Sequence, residues 1–179
     1  MSPWKRVRNE EGSAIIETAL SSLIILGLLF GMFESFFALY AYHFTSYAAR
    51  EATRYASVRG SNCSGNEVTS MAGCPVTSSA DVQSYIRNIG LPGLSSNDVT
   101  ANVTWHYRSN TNSPATWVSC GGNLTTTTTD SQGNTVTVAC NEPGDRITVQ
   151  VIYAMPLVIP FYKSIPLSMT STSSLVIAD

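Results

Sequence analysis

Charged residues are scarce in this sequence of 179 residues, of which only 12% are Asp, Glu, Lys or Arg. A soluble domain usually carries about twice that share. Only four basic residues follow residue 60, namely Arg87, Arg108, Arg146 and Lys163. The chain therefore lacks the basic footprint of a nucleic-acid binder. It also lacks a phosphate loop, a nucleophile elbow and metal-ligand spacing, so we expect no enzyme, no cofactor, no metal and no small-molecule substrate.

One long apolar run stands out near the N-terminus. Residues 18–33 are 16 consecutive uncharged residues, and apolar character resumes after Glu34. A bilayer core requires about 20 residues, which predicts a membrane span at about 18–40 with Glu17 or Glu34 near a boundary. A carboxylate costs about 2.5–3.5 kcal/mol at the bilayer centre and less at an edge. The alternative, a cleavable secretory signal, is opposed by the length of the run, by Glu17 at its start and by the lack of a small-x-small cleavage site.

The orientation of the span rests on cysteine, because three basic residues precede the span and three follow it closely. All four cysteines follow the span, in a Thr-rich region without metal-ligand spacing: Cys63, Cys74, Cys120 and Cys140. This pattern predicts an oxidising compartment and an extracytoplasmic C-terminal domain, reached through a periplasmic stalk. The short separations favour Cys63 with Cys74 and Cys120 with Cys140. The alternative is four reduced cysteines buried as small hydrophobic residues.

Helical character continues beyond the membrane, because residues 43–59 contain neither Pro nor Gly and end at Gly60. A helix over 13–59 would be about 70 Å long at 1.5 Å per residue, whereas the hydrocarbon core takes about 30 Å. The remainder would form a stalk. Its apolar stripe consists of Phe44, Ala48, Ala52 and Tyr55. We expect this stripe to pack on the chain's own C-terminal domain.

The N-terminal residues resemble a known family. A short basic leader ends at Gly12, and Ser13-Ala14-Ile15-Ile16-Glu17 follows, which looks like a prepilin-peptidase site. Together with the apolar run and the stretch Ala48-Ala49-Arg50-Glu51-Ala52-Thr53-Arg54-Tyr55-Ala56, these residues are similar to TadE-like pseudopilins of the Tad (Flp-type) pilus. The sequence departs from the family at Leu23, where many members have Pro, and at Ala52-Thr53, where Gly-Ala is usual.

The resemblance implies a structural role. Prepilin peptidase would cut between Gly12 and Ser13 and remove a leader of residues 1–12. Glu17 would then meet the N-terminal amine of a neighbouring subunit, so that two charges that are costly in apolar surroundings neutralise each other. The implied partners are prepilin peptidase, other pilin or pseudopilin subunits, the pilus assembly platform and membrane lipid. The implied location is the bacterial inner membrane, crossed once from a cytoplasmic leader, or the extracellular pilus.

The resemblance predicts a minor pilin or pseudopilin that takes part in pilus assembly and surface adherence. The alternatives are a major filament subunit, and a membrane-anchored binding module or adhesin that never enters a filament. Abundance in purified fibres separates the first alternative from a minor subunit. Uncleaved protein retained in the membrane would support the second.

Further candidate assembly residues are Glu34, the pair Gly27 and Gly31, and the stalk motif Ala48, Ala49, Arg50, Glu51, Arg54 and Tyr55. Each of these residues also has a simpler interpretation that involves no role in assembly. Glu17 could be an ordinary carboxylate in the first turn of a helix, and Glu34 could reach water at the outer boundary. Gly-x-x-x-Gly pairs are common in apolar helices. The charged residues of the stalk could form a solvated face with one ion pair between neighbouring turns.

The rest of the chain, residues 60–179, predicts a small and mostly antiparallel β domain with one short helix. Residues 79–89 have helical apolar spacing, with Ser79 as the expected cap and Gly90 as the stop. Alternating apolar residues predict strands at 99–107, 136–138 and 147–153, and a last strand at 167–177 follows Pro156, Pro160 and Pro166. The Thr run 125–129 is a hairpin or an exposed loop tip. The predicted fold class is α+β: a long transmembrane and stalk helix, then a disulfide-containing domain.

Overall fold

A computed structural model describes residues 10–64, 74–90, 95–109, 116–156 and 166–178. The helices are α1 (Glu10–Ser57) and α2 (Ser79–Ile89), with short 3-10 helices at Ser61–Ser64 and Ser96–Asp98. The strands are β1 (Val99–Ser109), β2 (Thr116–Gly121), β3 (Thr125–Thr129), β4 (Thr135–Ala139), β5 (Arg146–Pro156) and β6 (Pro166–Val176). The predicted α+β class is confirmed. The leader residues 1–9 and Pro160 lie outside the described residues.

The chain consists of two compact units, with the boundary between Leu39 and Tyr40. In the first unit, α1 begins at Glu10, three residues before the predicted start. Every side chain from residue 12 to 39 is exposed except Glu34 and Ala38, which are half-buried. Within Gly12–Ser57 the helix is long and apolar enough to cross a membrane. An exposed apolar helix of this length needs lipid or other helices around it.

The second unit, Tyr40–Asp179, includes the C-terminal part of α1, which ends at Ser57 rather than at the predicted residue 59. One face of this part carries small side chains that are at most 1% exposed: Ala41, Thr45, Ala48, Ala49, Ala52, Thr53 and Ala56. The spacing of three and four residues places them on one side of the helix. Phe44 and Tyr55, predicted for this stripe, are only half-buried. Small side chains let a helix approach its neighbours closely, so this face helps to close the core.

Four strands form the main sheet in the order β2-β1-β5-β6, and all neighbours are antiparallel. Side chains alternate between the two faces, as the period of a strand requires. On β1 the buried residues include Val103 and Trp105, and on β5 they include Val149 and Tyr153. Their neighbours on the opposite face are half-buried or exposed. The apolar core therefore lies on one side of the sheet, and the other side is open to solvent.

Helix α2 packs on the buried side of β1 with Val82 and Ile86. The Ser79 hydroxyl accepts a hydrogen bond from the N–H of Val103 at 3.1 Å and so joins the helix to the strand. The predicted cap is wrong by one residue, because Ser78 has the extended backbone of the N-cap. Its N–H donates to Asp81 Oδ2 at 3.0 Å, a reciprocal bond that satisfies an amide left unpaired at the helix start.

A separate two-stranded hairpin is formed by β3 and β4, with Thr125 opposite Ala139 and Thr129 opposite Thr135. The Thr run is therefore a strand of a hairpin. Two disulfides are present, Cys63–Cys74 and Cys120–Cys140, with Cα atoms 5.9 and 6.4 Å apart. The second one closes the base of the hairpin. A lone two-stranded hairpin is marginally stable in water, so a covalent link at its base helps to hold it folded.

The end of α1 is tied to the end of β6 by a close backbone approach at Gly60. The N–H of Ala178 donates to the Ser57 carbonyl at 3.0 Å, and the N–H of Ser61 donates to the Asn141 carbonyl at 2.9 Å. A Cβ on Gly60 would lie 2.5 Å from Ile177 Cγ2 and 2.9 Å from the Asn141 oxygen. Only glycine fits at this position without displacing backbone.

Substitution of this glycine should therefore weaken the second unit. We expect Gly60→Ala to lower the free energy of unfolding by about 1–3 kcal/mol, the usual cost of overpacking a filled site. The matched control is Gly122→Ala, because a Cβ there would meet nothing closer than the Val103 oxygen at 3.9 Å. Urea unfolding of the full chain in detergent micelles measures both. Equal midpoints for the two variants would contradict the close approach.

Candidate assembly site

The candidate cleavage residues lie in the first turns of α1. Gly12, Ser13 and Glu17 are all exposed, and a Cβ on Gly12 would meet no atom within 4 Å. No described atom therefore crowds the peptide bond between Gly12 and Ser13. Glu17 is four residues after Ser13, which is about one helical turn. It therefore shares this end of the helix with the amine that cleavage would create on Ser13.

Two hydroxyl side chains close to Glu17 donate hydrogen bonds within the helix. Thr18 Oγ1 donates to the Ala14 carbonyl at 2.7 Å, and Ser22 Oγ donates to the Ala19 carbonyl at 2.9 Å. Such bonds remove the cost of placing a hydroxyl in lipid. An ionised carboxylate at Glu17 could not form such a bond, because it has no proton to donate to a backbone carbonyl. An ionised Glu17 would therefore gain from a hydrogen-bonding or positively charged partner.

Glu34 and the two glycines lie farther along the same unit. Glu34 is half-buried, and its Oε2 atom is enclosed but accepts no hydrogen bond from a described residue. An added Cβ on Gly27 or Gly31 would meet nothing within 4 Å. The glycine pair therefore offers a bare patch of helix backbone, of the kind that allows close approach of another helix.

The stalk motif belongs to the second unit and divides between two environments. Ala48 and Ala49 are fully buried, and Thr53 Oγ1 donates to the Ala49 carbonyl at 2.6 Å. Arg50 and Arg54 are exposed on the other side of the helix. The motif therefore combines a small-residue face for the core with a basic face for solvent or a partner.

Glu51 and Tyr55 hold α2 against α1. Glu51 Oε1 accepts a hydrogen bond from the Tyr85 hydroxyl at 3.2 Å. The rings of Tyr55 and Tyr85 are stacked with centroids 3.9 Å apart, and the Arg59 guanidinium lies 3.9 Å from the Tyr55 centroid. Burial and the negative charge of Glu51 raise the pKa of Tyr85, so its hydroxyl remains a donor. Glu51 therefore acts first as a contact inside the domain, rather than as half of a solvated ion pair.

The sequence did not reveal Tyr85 and Arg59 as members of this cluster. Tyr85 lies 34 residues from its partner Glu51, and its helical spacing fits an ordinary apolar face of α2. A contact over this separation is set by how two helices pack, and one sequence carries no local signal of it.

Taken together, the described residues comprise one apolar N-terminal helix that could span a membrane and one disulfide-containing α+β domain. Residues 12–54 match the model of the TadE-like protein family, which confirms the resemblance over that segment. The TadE-like family is associated with Tad pili, and it is structural rather than catalytic. No curated protein and no solved structure matches the chain.

Proposed function

We propose that this protein is a minor pilin, or pseudopilin, of a Tad-type pilus, cleaved by prepilin peptidase after Gly12 and active in pilus assembly and surface adherence. The single observation that carries the proposal is the TadE-like match over residues 12–54, which includes the cleavage residues, Glu17 and most of the stalk motif. Cleavage would leave residues 1–12 as the leader and Ser13 as the new N-terminus. Residues 60–179 would then lie on the outer side of the membrane.

The exposed apolar helix supports the assembly step. From residue 12 to 39 its side chains are covered by nothing in the described chain, apart from partial cover at Glu34 and Ala38. In the membrane, lipid covers this surface; in a filament, the helices of other subunits would replace the lipid. Glu17 and the unpartnered oxygen of Glu34 would then find positive or hydrogen-bonding groups on those subunits.

Processing can be tested at Gly12 by intact mass and N-terminal peptide mapping of protein from its own host. We expect the wild-type chain to begin at Ser13. Gly12→Leu should abolish cleavage, because a large side chain prevents the extended backbone from entering a protease cleft. It should leave the helix intact, since no described atom lies within 4 Å of the added Cβ.

Two further variants act as controls for this test. Gly12→Ala should keep part of the cleavage, since its side chain is small, and Ser21→Leu should be cleaved like the wild type, since Ser21 is exposed away from the bond. A wild-type chain that keeps Met1 or Ser2 would overturn the pilin mechanism. Normal cleavage of Gly12→Leu would show that the site lies elsewhere.

A further inference from the structure

The open face of the main sheet is uncharged over most of its area and basic at one end. Pairing in register places Arg108 opposite Trp117 and His106 opposite Arg146, so three adjacent strands contribute to this end. These four residues are called the basic end below. Arg108 and Arg146 are two of only four basic residues after residue 60. No position on this face of the four strands, within the described residues, carries Asp or Glu.

The basic end is organised by a contact that crosses a strand. The Arg146 guanidinium lies 4.6 Å from the centroid of the Trp117 ring, although β1 runs between their strands. His106 lies on β1 between them and is half-buried, and its Nδ1 atom is enclosed without a hydrogen-bond partner among the described residues. Stacking on a ring uses the flat face of a guanidinium and leaves its N–H edge free to donate. The arginine is therefore held in place and remains able to bind an anion.

Most of the remaining positions on this face carry hydroxyl or amide side chains. They are Thr100, Asn102, Thr104, Ser119, Thr148, Gln150, Ser168, Thr170, Thr172 and Ser174. Each is exposed or half-buried. Such groups both donate and accept hydrogen bonds, which is the chemistry that a surface of hydroxyl groups requires. Apolar side chains on this face are fewer, and they include Trp117, Ile152, Ala154 and Val176.

We propose that this open face binds an acidic polysaccharide, with carboxylate groups of the sugar chain at Arg108 and Arg146 and neutral hydroxyl groups over the Thr, Asn and Gln side chains. Charge complementarity selects the acidic group, because the face is positive on a chain with a net charge of −2. The predominance of hydroxyl and amide side chains over apolar ones favours a glycan over a protein partner. The inference deepens the adherence part of the proposed function and rests on the domain facing outward.

Binding can be measured with the full chain in detergent micelles, by calorimetry with oligogalacturonate as the acidic probe. A maltooligosaccharide of equal length is the neutral probe, and poly-glutamate of equal charge is the acidic peptide probe. We expect oligogalacturonate to bind and both other probes to bind at least about tenfold more weakly. The affinity should fall as salt is raised, since ionic contacts are screened.

Substitutions of single arginines test whether oligogalacturonate binds at the open face of the sheet. Arg108→Gln and Arg146→Gln should each weaken binding of oligogalacturonate about tenfold, the usual effect of losing a charge-assisted hydrogen bond. The matched control is Arg87→Gln, an exposed arginine of α2, which packs on the other side of the sheet. It should change the affinity less than about twofold. Circular dichroism checks that each variant is folded.

Several results would overturn the proposal. Absence of binding by the folded wild-type chain is one, and equal binding of poly-glutamate, which would assign the face to an acidic protein, is another. An equal loss in Arg87→Gln would show only diffuse attraction between charges. None of these results depends on the cut after Gly12, so failure of this proposal and failure of pilin processing are distinguishable.

Discussion

Glu17→Ala is expected to leave cleavage after Gly12 intact and to reduce incorporation into pili by at least about tenfold. In the proposed assembly, the carboxylate of one subunit neutralises the free amine of the next. Removing the carboxylate leaves a positive amine in apolar surroundings without a partner, and such an uncompensated charge costs several kcal/mol. About 1.4 kcal/mol already corresponds to a factor of ten in an equilibrium. The ratio of the protein in sheared pili to that in membranes measures the effect.

Matched variants separate charge from packing in this experiment. Glu17→Gln keeps the size of the side chain but removes its charge, so it should fail like Glu17→Ala. Ser22→Ala should assemble like the wild type, because the Ser22 hydroxyl already donates to the Ala19 carbonyl within its own helix. If Glu17→Ala assembles normally, the ion pair plays no part. If cleavage is lost instead, Glu17 serves recognition by the peptidase.

Strong periodic patterns in the sequence predicted much of the fold. The apolar run and the stretch without Pro or Gly predicted one long helix, and α1 extends from Glu10 to Ser57. Alternation of apolar and polar residues predicted β1 and β5, because burial on one face of a sheet imposes a period of two. The short helix was predicted at Ser79–Ile89, the range it has in the structure. Its cap was assigned one residue too late.

Features that depend on neighbouring strands were not predicted. Strand β2 was missed because only Cys120 among its residues is buried, so its apolar pattern is weak. It lies at the edge of the sheet and pairs with β1 through an irregular register near Trp105 and His106. The contact between Trp117 and Arg146 joins β2 to β5 across β1. It depends on the order of the strands in the sheet, which the sequence pattern does not predict.

The candidate site shows the same division. The resemblance identified Gly12, Ser13 and Glu17, and the family match covers them all. It did not reveal that Glu51 serves Tyr85 inside the domain, because the partner is supplied by α2. A motif found by resemblance therefore mixes residues that stabilise the fold with residues that are free to meet partners. In the stalk, burial separates Ala48 and Ala49 from the exposed Arg50 and Arg54.

The largest expected loss of stability comes from Trp105→Ala on β1. Trp105 is 1% exposed and is among the largest fully buried side chains of the described core. Replacing a buried Trp by Ala removes its apolar contacts and leaves a cavity, at a usual cost of about 3–5 kcal/mol. A domain is stable by only about 5–15 kcal/mol, so the variant should be partly unfolded or close to it. Hydrogen exchange of the β5 amides in the full chain in micelles reports this loss.

Trp117→Ala on β2 is the matched control, because it removes the same side chain from the opposite face of the same sheet. Trp117 is half-buried and contacts Arg146, and an exposed contact of this kind contributes about 0.5–1 kcal/mol. We expect a loss below about 1.5 kcal/mol, since the ring is half-buried rather than enclosed in the core. Equal losses for the two variants would contradict a core on one side only. They would also argue against an open face that is free to bind a ligand.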